Sequence, residues 1–343
     1  MKRDMMLRWT GRAVAFLMLV ALSSCEKIFD DLEACPHGVS LRFVYDYNLE
    51  FANAFPKKVD CLTLYVYDAE DNYVATHVVT ADSLLSDEDW RMQLELPQGN
   101  YHFVAYGGLA CEKSSFSLEE EPAQGMRRED LRALLDADCL TSEDSTRRNL
   151  HGFYWGELQL ETADLFREGK VEMMKNTNNV RIVLRDLNGG PLRAEDYTFE
   201  VTDDNTYFGA DNGLLPSEYG EVTYTPWAAG DVPFGILDGQ QVMGAYAEFS
   251  VARMMRPGLS PLQKEAETRL TVISNEDGRK VVDVPLLDML LLSRSDFWAD
   301  MDEQEFLDRQ SEWELLFLID HNRWVQVWIK VQDWVVRYNR ADL

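Results

Sequence analysis

The sequence predicts an all-β protein made of two tandem β-sandwich domains, with short helices in the connecting loops. Many short segments alternate apolar and polar side chains at period two, as half-buried strands do. Clusters of turn-forming residues separate these segments. The strongest of them, residues 188–191 (Asn-Gly-Gly-Pro), divides the chain into a predicted N-terminal sandwich at 35–187 and a C-terminal one at 188–343.

Residues 1–24 have the features of a secretory signal peptide. A basic segment precedes an uninterrupted apolar run, which is too short to stay in a bilayer as a spanning helix. The run ends in Leu22, Ser23, Ser24 and Cys25, the pattern of a lipobox. We therefore predict that the mature chain begins at Cys25 and that acyl chains on this cysteine hold the protein at a membrane. An ordinary cleaved signal with a coincidental cysteine is the alternative.

The N-terminal half begins with an acidic segment, residues 25–34, which we predict to be a tether. Two hairpins are expected next, from strands at 39–48, 59–68, 73–79, 90–96 and 101–105. Residues 112–149 lose the alternation, which predicts a long surface excursion with a short helix near 128–136. Strands return at 151–160 and 171–187.

The C-terminal half repeats this pattern. Short strands are predicted at 197–201, 221–224, 244–253, 268–274 and 280–285. A helix with Phe306 at its centre is predicted at 302–313. The last hairpin joins 313–319 to 323–336 across Asp320, His321 and Asn322.

Four cysteines follow Cys25, an even number in a chain predicted to be exported to an oxidising compartment. All four lie in the N-terminal half, so any disulfides would cross-link the first sandwich. Three pairings are open, and free buried thiols are the alternative. The four residues are Cys35, Cys61, Cys111 and Cys139.

The formal net charge is −27, and it becomes −30 when the four basic residues and one acid of the predicted signal are removed. Such a charge repels nucleic acid, so we predict no nucleic-acid partner. The acidic residues are spread along the chain rather than gathered in one block. This distribution favours a solvated exterior over a specific cation site.

No motif in the sequence indicates an enzyme, a nucleotide site or a cofactor. No two histidines have the i, i+4 spacing of zinc hydrolases, so we predict no metal site; the five are His37, His77, His102, His151 and His321. The segments 203–205 (Asp-Asp-Asn) and 211–213 (Asp-Asn-Gly) are explained by turn chemistry. A nucleophile pair of Cys111 with a distant histidine is less favoured than an oxidised cysteine.

Tryptophans mark the last predicted strands. A ligand-binding platform is one interpretation, but period two in an apolar strand favours core packing. The residues concerned are Trp313, Trp324, Trp328 and Trp334.

Four strand patterns after the lipobox resemble the FimB-like fimbrial anchor family of Bacteroidales type V pili. They begin at Cys35, Val59, Gly99 and Trp324 and keep a fixed order over essentially the whole mature chain. The resemblance implies two transthyretin-like sandwiches, a lipid anchor in the outer membrane and a place at the base of a fimbria. The acidic residues after Cys25 are similar to the surface-export signal of Bacteroidota lipoproteins.

In shaft subunits of such fimbriae, cleavage after a basic residue removes the lipid and a first strand, opening a groove for a donor strand. Residues 26–40 contain only Lys27 as a basic residue, and Arg42 lies inside the first predicted strand. We therefore expect this chain to keep both its first strand and its lipid. The six residues 338–343 leave little chain for a long C-terminal donor, and the joining edge stays open.

Two hypotheses follow. The first is an outer-membrane lipoprotein that anchors a fimbria, limits its assembly and binds the fimbrial shaft subunit by strand addition. The second is a surface lipoprotein that binds a glycan or host protein through loops such as 112–149 and takes no part in a polymer.

Overall fold

The computed structural model describes residues 35–237, 239–258, 267–294, 298–331 and 334–339, and strands far outnumber helices among them. This confirms the predicted all-β class. The strands of the N-terminal half are β1 His37–Val44, β2 Leu62–Tyr67, β3 Tyr73–Val79, β4 Met92–Glu95, β5 Asn100–Gly107, β6 Phe116–Leu118, β7 Ala133–Leu135, β8 Tyr154–Glu161, β9 Ala163–Asp164 and β10 Arg167–Lys175.

The remaining strands belong to the C-terminal half. They are β11 Thr177–Asp186, β12 Tyr197–Asp203, β13 Tyr207–Phe208, β14 Val222–Tyr224, β15 Ala228–Leu237, β16 Gln240–Ala252, β17 Arg269–Ser274, β18 Lys280–Pro285, β19 Glu312–Asp320, β20 Arg323–Val331 and β21 Trp334–Asn339.

The helices of the described residues are short and lie between strands. They are α1 Phe55–Lys58, α2 Asp82–Leu85, α3 Asp138–Thr141, α4 Ser145–Arg148, α5 Leu286–Leu291 and α6 Glu303–Arg309, with 3-10 turns at Arg128–Asp130 and Ala194–Asp196. Within the described ranges, no helix has the length and apolar character needed to span a membrane.

The first sheet curls around its own core. Among the described residues its strands follow the order β3-β2-β5-β8-β10-β1-β4, with β9 beside β1. Alternate side chains from both ends of this order meet in one cluster, which includes Leu41 of β1, Leu64 of β2, Leu94 of β4 and Phe103 of β5. All four are almost fully buried. Period two puts every second residue on this inner face, which is why the sequence pattern was visible.

The predicted second hairpin is wrong. Strand β4 pairs with β1, through Gly38 opposite Glu95, whereas β5 pairs with β2 and β8. The turn after Leu96 therefore carries the chain from one end of the sheet to its middle. Alternation shows that both segments are strands, but it does not show which neighbour each one takes.

The second half is a sandwich of two sheets. Among the described residues, one follows the order β15-β16-β11-β19-β20-β21 and the other β14-β12-β17-β18. Their inner faces pack together through Ile182 of β11, Phe249 of β16, Phe317 of β19 and Val272 of β17. The two strands β11 and β19 run parallel, as β1 and β10 do in the first half.

The strand predicted at 171–187 is two strands in two different sheets. Residue Asn176 separates β10 from β11; its N–H donates to the carbonyl of Phe153 at 2.7 Å, and its amide donates to Asn212 at 2.6 Å. By pairing, residues 177–186 belong with the C-terminal strands, whereas the predicted boundary at 188 assigned them to the first domain. Because Asn176 alone lies between the two strands, the sequence shows no turn at which to divide them.

Residues 112–149 are only in part the surface excursion that was predicted, because half of them are exposed while a few side chains enter the core. Two short strands of this segment, β6 and β7, form a sheet with β13 of the second half. Its side chains Phe116, Leu131 and Leu135 are almost fully buried. The predicted helix at 128–136 is a 3-10 turn followed by β7. Strands β6 and β7 were not predicted because, at three residues each, they are too short to show an alternating pattern.

Candidate functional site

The first strand is an inner strand of its sheet. Residues Val39 to Val44 pair with β10, and Gly38 to Leu41 pair with β4 on the other side. The peptide bond after Arg42 leads into Phe43, which is buried and stacks on Phe55 and Trp90 at centroid distances of 6.0 Å. A protease would have to open the sheet to reach this bond.

The point where the N-terminal segment joins the fold is fixed by hydrogen bonds. The carbonyl of Pro36 accepts from the N–H of Leu165 at 2.8 Å. The ring of His37 contacts Asp164 at 2.8 Å and Thr162 at 2.9 Å. The predicted lipobox (Leu22, Ser23, Ser24 and Cys25) and tether lie outside the described residues, so lipidation of Cys25 stays a prediction.

One disulfide of the three pairings that the sequence left open is present, and the second bridge of that pairing, Cys35 to Cys139, is not formed. A disulfide joins Cys61 to Cys111, whose Cα atoms are 5.6 Å apart. The thiols of Cys35, which is exposed, and Cys139, which is buried, are free. Burial raises the pKa of the Cys139 thiol, which keeps it protonated and unreactive. The bond ties the start of β2 to the segment after β5.

One group of side chains has the arrangement of a metal site: Asp60, Cys111 and His151 offer ligand atoms within 4.8 Å of one another. Because Cys111 is in the disulfide, it has no thiolate to offer a metal. The remaining pair is a contact of 2.9 Å between His151 Nε2 and Asp60 Oδ1. This geometry also removes the nucleophile pair that the sequence allowed for Cys111.

The other histidines occupy unrelated places. Residue His102 is buried and contacts Glu157 at 2.9 Å, and His321 is exposed in the β19–β20 turn beside Asp320. Burial lowers the pKa of His77 on β3, so this ring is neutral at pH 7.

The acidic segments at 203–205 and 211–213 have structural roles. The hydroxyl of Thr268 donates to Asp203 at 2.6 Å, and the amide of Asn205 donates to the carbonyls of Ala252 and Arg253, each at 3.1 Å. The N–H of Gly213 donates to Asp211 at 3.0 Å within a turn. Turn and connector hydrogen bonds therefore account for both segments.

The tryptophans do not share one face. Trp313 and Trp324 are buried in the core, whereas Trp328 is half-buried on the outer face beneath the guanidinium of Arg337, which lies 4.0 Å from the ring centroid. The prediction of core packing is therefore correct for Trp313 and Trp324 and wrong for Trp328. The reason is a β-bulge: Leu318 pairs with Gln326 and Ile319 with Trp324, so the residue between them shifts the alternation. Nothing is described of the Trp334 side chain.

An aromatic junction joins the two halves. Phe116 of β6 stacks on Phe153 at 4.3 Å between centroids, and Tyr106 of β5 also stacks on Phe153, at 5.6 Å. Phe208 of β13 meets both phenylalanines edge to face. Offset and edge contacts of this kind add stabilisation beyond area burial, so the two sandwiches form one packed unit.

A cleft of about 820 Å³ lies between the two halves and is lined by residues 45–58 from the first half and by β11, β16 and β19 from the second. The ammonium group of Lys175 lies 3.3 Å from Ser311 and 3.4 Å from Glu312. Burial lowers the pKa of Lys175, although Glu312 opposes this effect. Burial raises the pKa of Tyr45 to about 12.

Strand edges are the other surfaces on which a partner can add. Among the described residues, the ends of the sheets are β3, β4, β15, β21, β14, β18, β13 and β6. No sequence pattern separates these edges from inner strands, because pairing is a property of the assembled sheet.

The comparisons with known proteins agree with this architecture. The chain matches the family of fimbrillin-A associated anchor proteins Mfa1 and Mfa2 over residues 32–340. A solved structure of a proposed adhesin from Bacteroides thetaiotaomicron is 54% identical, with a TM-score of 0.82, and the match covers 90% of this chain and 100% of that one. No curated protein matches the chain.

Two more distant structures share the fold. A proposed polysaccharide-binding protein from Bacteroides thetaiotaomicron is 25% identical with a TM-score of 0.71, over 89% of this chain and 99% of that one. The fimbrial anchor protein Mfa2 from Porphyromonas gingivalis is 15% identical with a TM-score of 0.61, over 87% and 98% of the two chains. At that identity the second likeness shows the fold alone.

The two packed sandwiches agree with the family match, which defines a protein of the fimbria-associated, adhesin-like class. The chain belongs to the Mfa2 family of fimbrial anchor proteins. The family is one of structural proteins rather than enzymes, and it is associated with the cell surface. The resemblance that the sequence showed is confirmed.

Proposed function

We propose that this protein is an outer-membrane lipoprotein that holds a fimbria at its base and ends its assembly there. The observation that carries the proposal is the inner position of β1. This strand pairs on both sides, and Arg42, the first arginine after Cys25, lies within it. A subunit that keeps its first strand has no groove for a donor strand, so no further subunit adds behind it.

The packing between the halves supports the same role. The aromatic junction and the shared sheet of β6, β7 and β13 connect the first sandwich to the second. Force applied to either sandwich is therefore transmitted to the N-terminal segment without an intervening flexible linker. A lipid on Cys25 would carry this force to the membrane, since more than one acyl chain makes attachment stable.

The test is the location of fimbriae on cells that make Cys25→Ala in place of the native chain. We expect fimbriae to be shed into the medium, and a Cys35→Ala variant, which changes a free exposed thiol close to the start of the fold, to keep them attached. Attached fimbriae of normal length in the Cys25→Ala cells would refute the proposal.

A second candidate function, saccharide binding, is favoured by the cleft between the halves. Its lining combines the ring of Trp227 with the charged pair Arg181 and Glu248, whose atoms are 2.6 Å apart. Aromatic faces beside fixed polar groups suit sugar rings. The alternative site, the segment 112–149, is less suited because its aromatic residue Phe116 is buried and offers no face to a sugar ring. A glycan array with the soluble protein and a Trp227→Ala control tests this role.

A further inference from the structure

Among the described residues, strand β3 differs from the other sheet edges of more than four residues in carrying no charged residue and no proline. Its pairing with β2 has one bulge, at Val74, where Val66 pairs with Ala75 and Tyr67 with Tyr73. Natural proteins guard exposed edges with charges, prolines, bulges or short strands, because unpaired backbone groups recruit other chains. The seven residues of β3 are Tyr-Val-Ala-Thr-His-Val-Val, without an acid, a lysine, an arginine or a proline. Two of its side chains, Val74 and Val78, are 43% and 53% exposed.

The other edges in the described part of the chain carry such protection. Strand β15 contains Asp231 and Pro233, β18 contains Lys280 and Asp283, and β21 contains Arg337. The edges β4, β6, β13 and β14 have at most four residues each. Burial keeps His77 of β3 neutral at pH 7, so that edge gains no charge from it.

Strand β2, the inner neighbour of β3, holds this edge in a fixed position. All six residues of β2 are buried, and β2 pairs with β5 along its other side. The first residue of β3 is already covered, since the N–H of Tyr73 donates to the carbonyl of Met126 at 2.9 Å. Residues 74–79 pair with no further strand among the described residues. They offer six residues of open backbone, about the length of an average strand.

The charges around β3 favour pairing with a different protein over pairing with a second copy of this chain. Exposed acidic residues follow the strand, and they are Asp82, Asp87, Glu88 and Asp89. Pairing of two copies through β3 would bring together molecules that each carry a formal charge of −27. A partner strand with a basic residue beside this acidic end would be attracted instead.

We propose that β3 is the edge at which an extended segment of the fimbrial shaft subunit joins this protein, and the identity of that partner rests on the proposed anchor function. The added segment continues the sheet through backbone hydrogen bonds to residues 74–79. Its apolar side chains cover Val74 and Val78 on one face, and a basic residue at one end lies near Asp82.

Photo-crosslinking in cells tests the edge directly. The photoreactive residue p-benzoylphenylalanine is placed at Val78 in the full chain, and at Ile236 on the guarded edge β15 as a control, since that side chain is 78% exposed. We expect an adduct from position 78 whose partner peptide maps to a strand of the shaft subunit. No adduct, an adduct with this chain alone, or an equal yield from position 236 would each overturn the proposal.

A guarding charge tests the energetic contribution of the edge. We expect Val78→Lys to reduce the number of fimbriae retained per cell by about tenfold, which corresponds to roughly 1.4 kcal/mol. Val78→Thr, which keeps an uncharged strand-forming residue, should retain them, and so should Ile236→Lys. Thermal unfolding of each soluble variant verifies that the fold is unchanged. Normal retention with Val78→Lys would overturn the proposal.

The two proposals fail separately. If Cys25→Ala sheds fimbriae and Val78→Lys does not, the assignment of the edge is wrong and the anchor function stands. If position 78 crosslinks to the shaft subunit while Cys25→Ala cells keep their fimbriae, the edge is correct and the lipid anchor is wrong.

Discussion

The guanidinium carbon of Arg309 lies 4.0 Å from the ring centroid of Tyr47, and it also stands over Phe51 at 4.8 Å. Arg309 ends helix α6 of the second half, whereas the two rings belong to the segment that follows β1. The first strand is therefore continued by a segment fastened to the opposite sandwich. This contact, with the aromatic junction, makes a single body of the two halves.

Loss of this stacked cation should loosen the segment after β1. We expect Arg309→Met to lower the free energy of unfolding by about 1 kcal/mol, because the apolar stem remains while the cation–π attraction is lost. Arg309→Lys should recover only part of this lost free energy, since an ammonium group lacks the planar stacking surface. Urea unfolding and hydrogen exchange of residues 46–53 measure the effect. Unchanged exchange in the methionine variant would contradict the expectation.

The disulfide should contribute strongly to stability. It closes a loop with a sequence separation of 50. Chain-entropy estimates for a loop of this size give about 4 kcal/mol, so the double variant Cys61→Ala/Cys111→Ala should unfold at a much lower urea concentration. Cys35→Ser, which changes an exposed free thiol, should match the native chain. Equal midpoints for the double variant and the native chain would show that the bond is dispensable.

A buried ion pair holds α6 to the end of β16. The Nη2 and Nε atoms of Arg253 lie 2.6 and 2.8 Å from the carboxylate oxygens of Asp308, and Nη1 donates to the carbonyl of Asn212 at 2.8 Å. Asp308→Ala leaves a buried charge without its counterion, for which we expect a loss of about 3–5 kcal/mol. The double variant Arg253→Met/Asp308→Leu should recover most of it. Denaturant titration of the single and double variants measures their free energies of unfolding. Equal losses of this free energy in both variants would contradict the prediction.

The β17–β18 pair should give a pH-dependent stability. A hydrogen bond from Arg269, at 2.5 Å, holds the pKa of the Asp283 carboxyl below its ordinary value, and Lys280 adds to the effect. A depressed carboxyl pKa stabilises the fold above the unfolded-state pKa, about 3.9, and this stabilisation is lost as the pH falls through the folded-state value.

Asp283→Asn should therefore lower stability by up to about 1 kcal/mol at pH 7, in the range of a half-exposed pair, and the difference should vanish at acidic pH. Thermal unfolding of both chains between neutral and acidic pH measures it. A difference that stays constant over this range would mean that ionisation of Asp283 is not the cause.

The sequence alone determined the features that depend on neighbouring residues. The alternation at β1, β2 and β3, and the turn at Asp320 to Asn322, identified strands and two hairpins that the structure contains. The presence of Lys27 as the one Lys or Arg between Cys25 and Arg42 predicts that the first strand is kept. These signals are local because side-chain period and turn chemistry are set within a few residues.

Only the tertiary structure decided how the strands pair and which cysteines bond. Alternation reports that a side chain faces a core, but not which core or which neighbour, so the pairing of β4 with β1 and the passage of β11 into the second sheet were out of reach. The bulge before Gln326 moved Trp328 to the outer face, and the pairing of β6 and β7 with β13 buried Phe116 within an otherwise largely exposed segment. The edge at β3, which has no charged residue and no proline, emerged in the same way, because an edge exists only when the rest of the sheet is assembled.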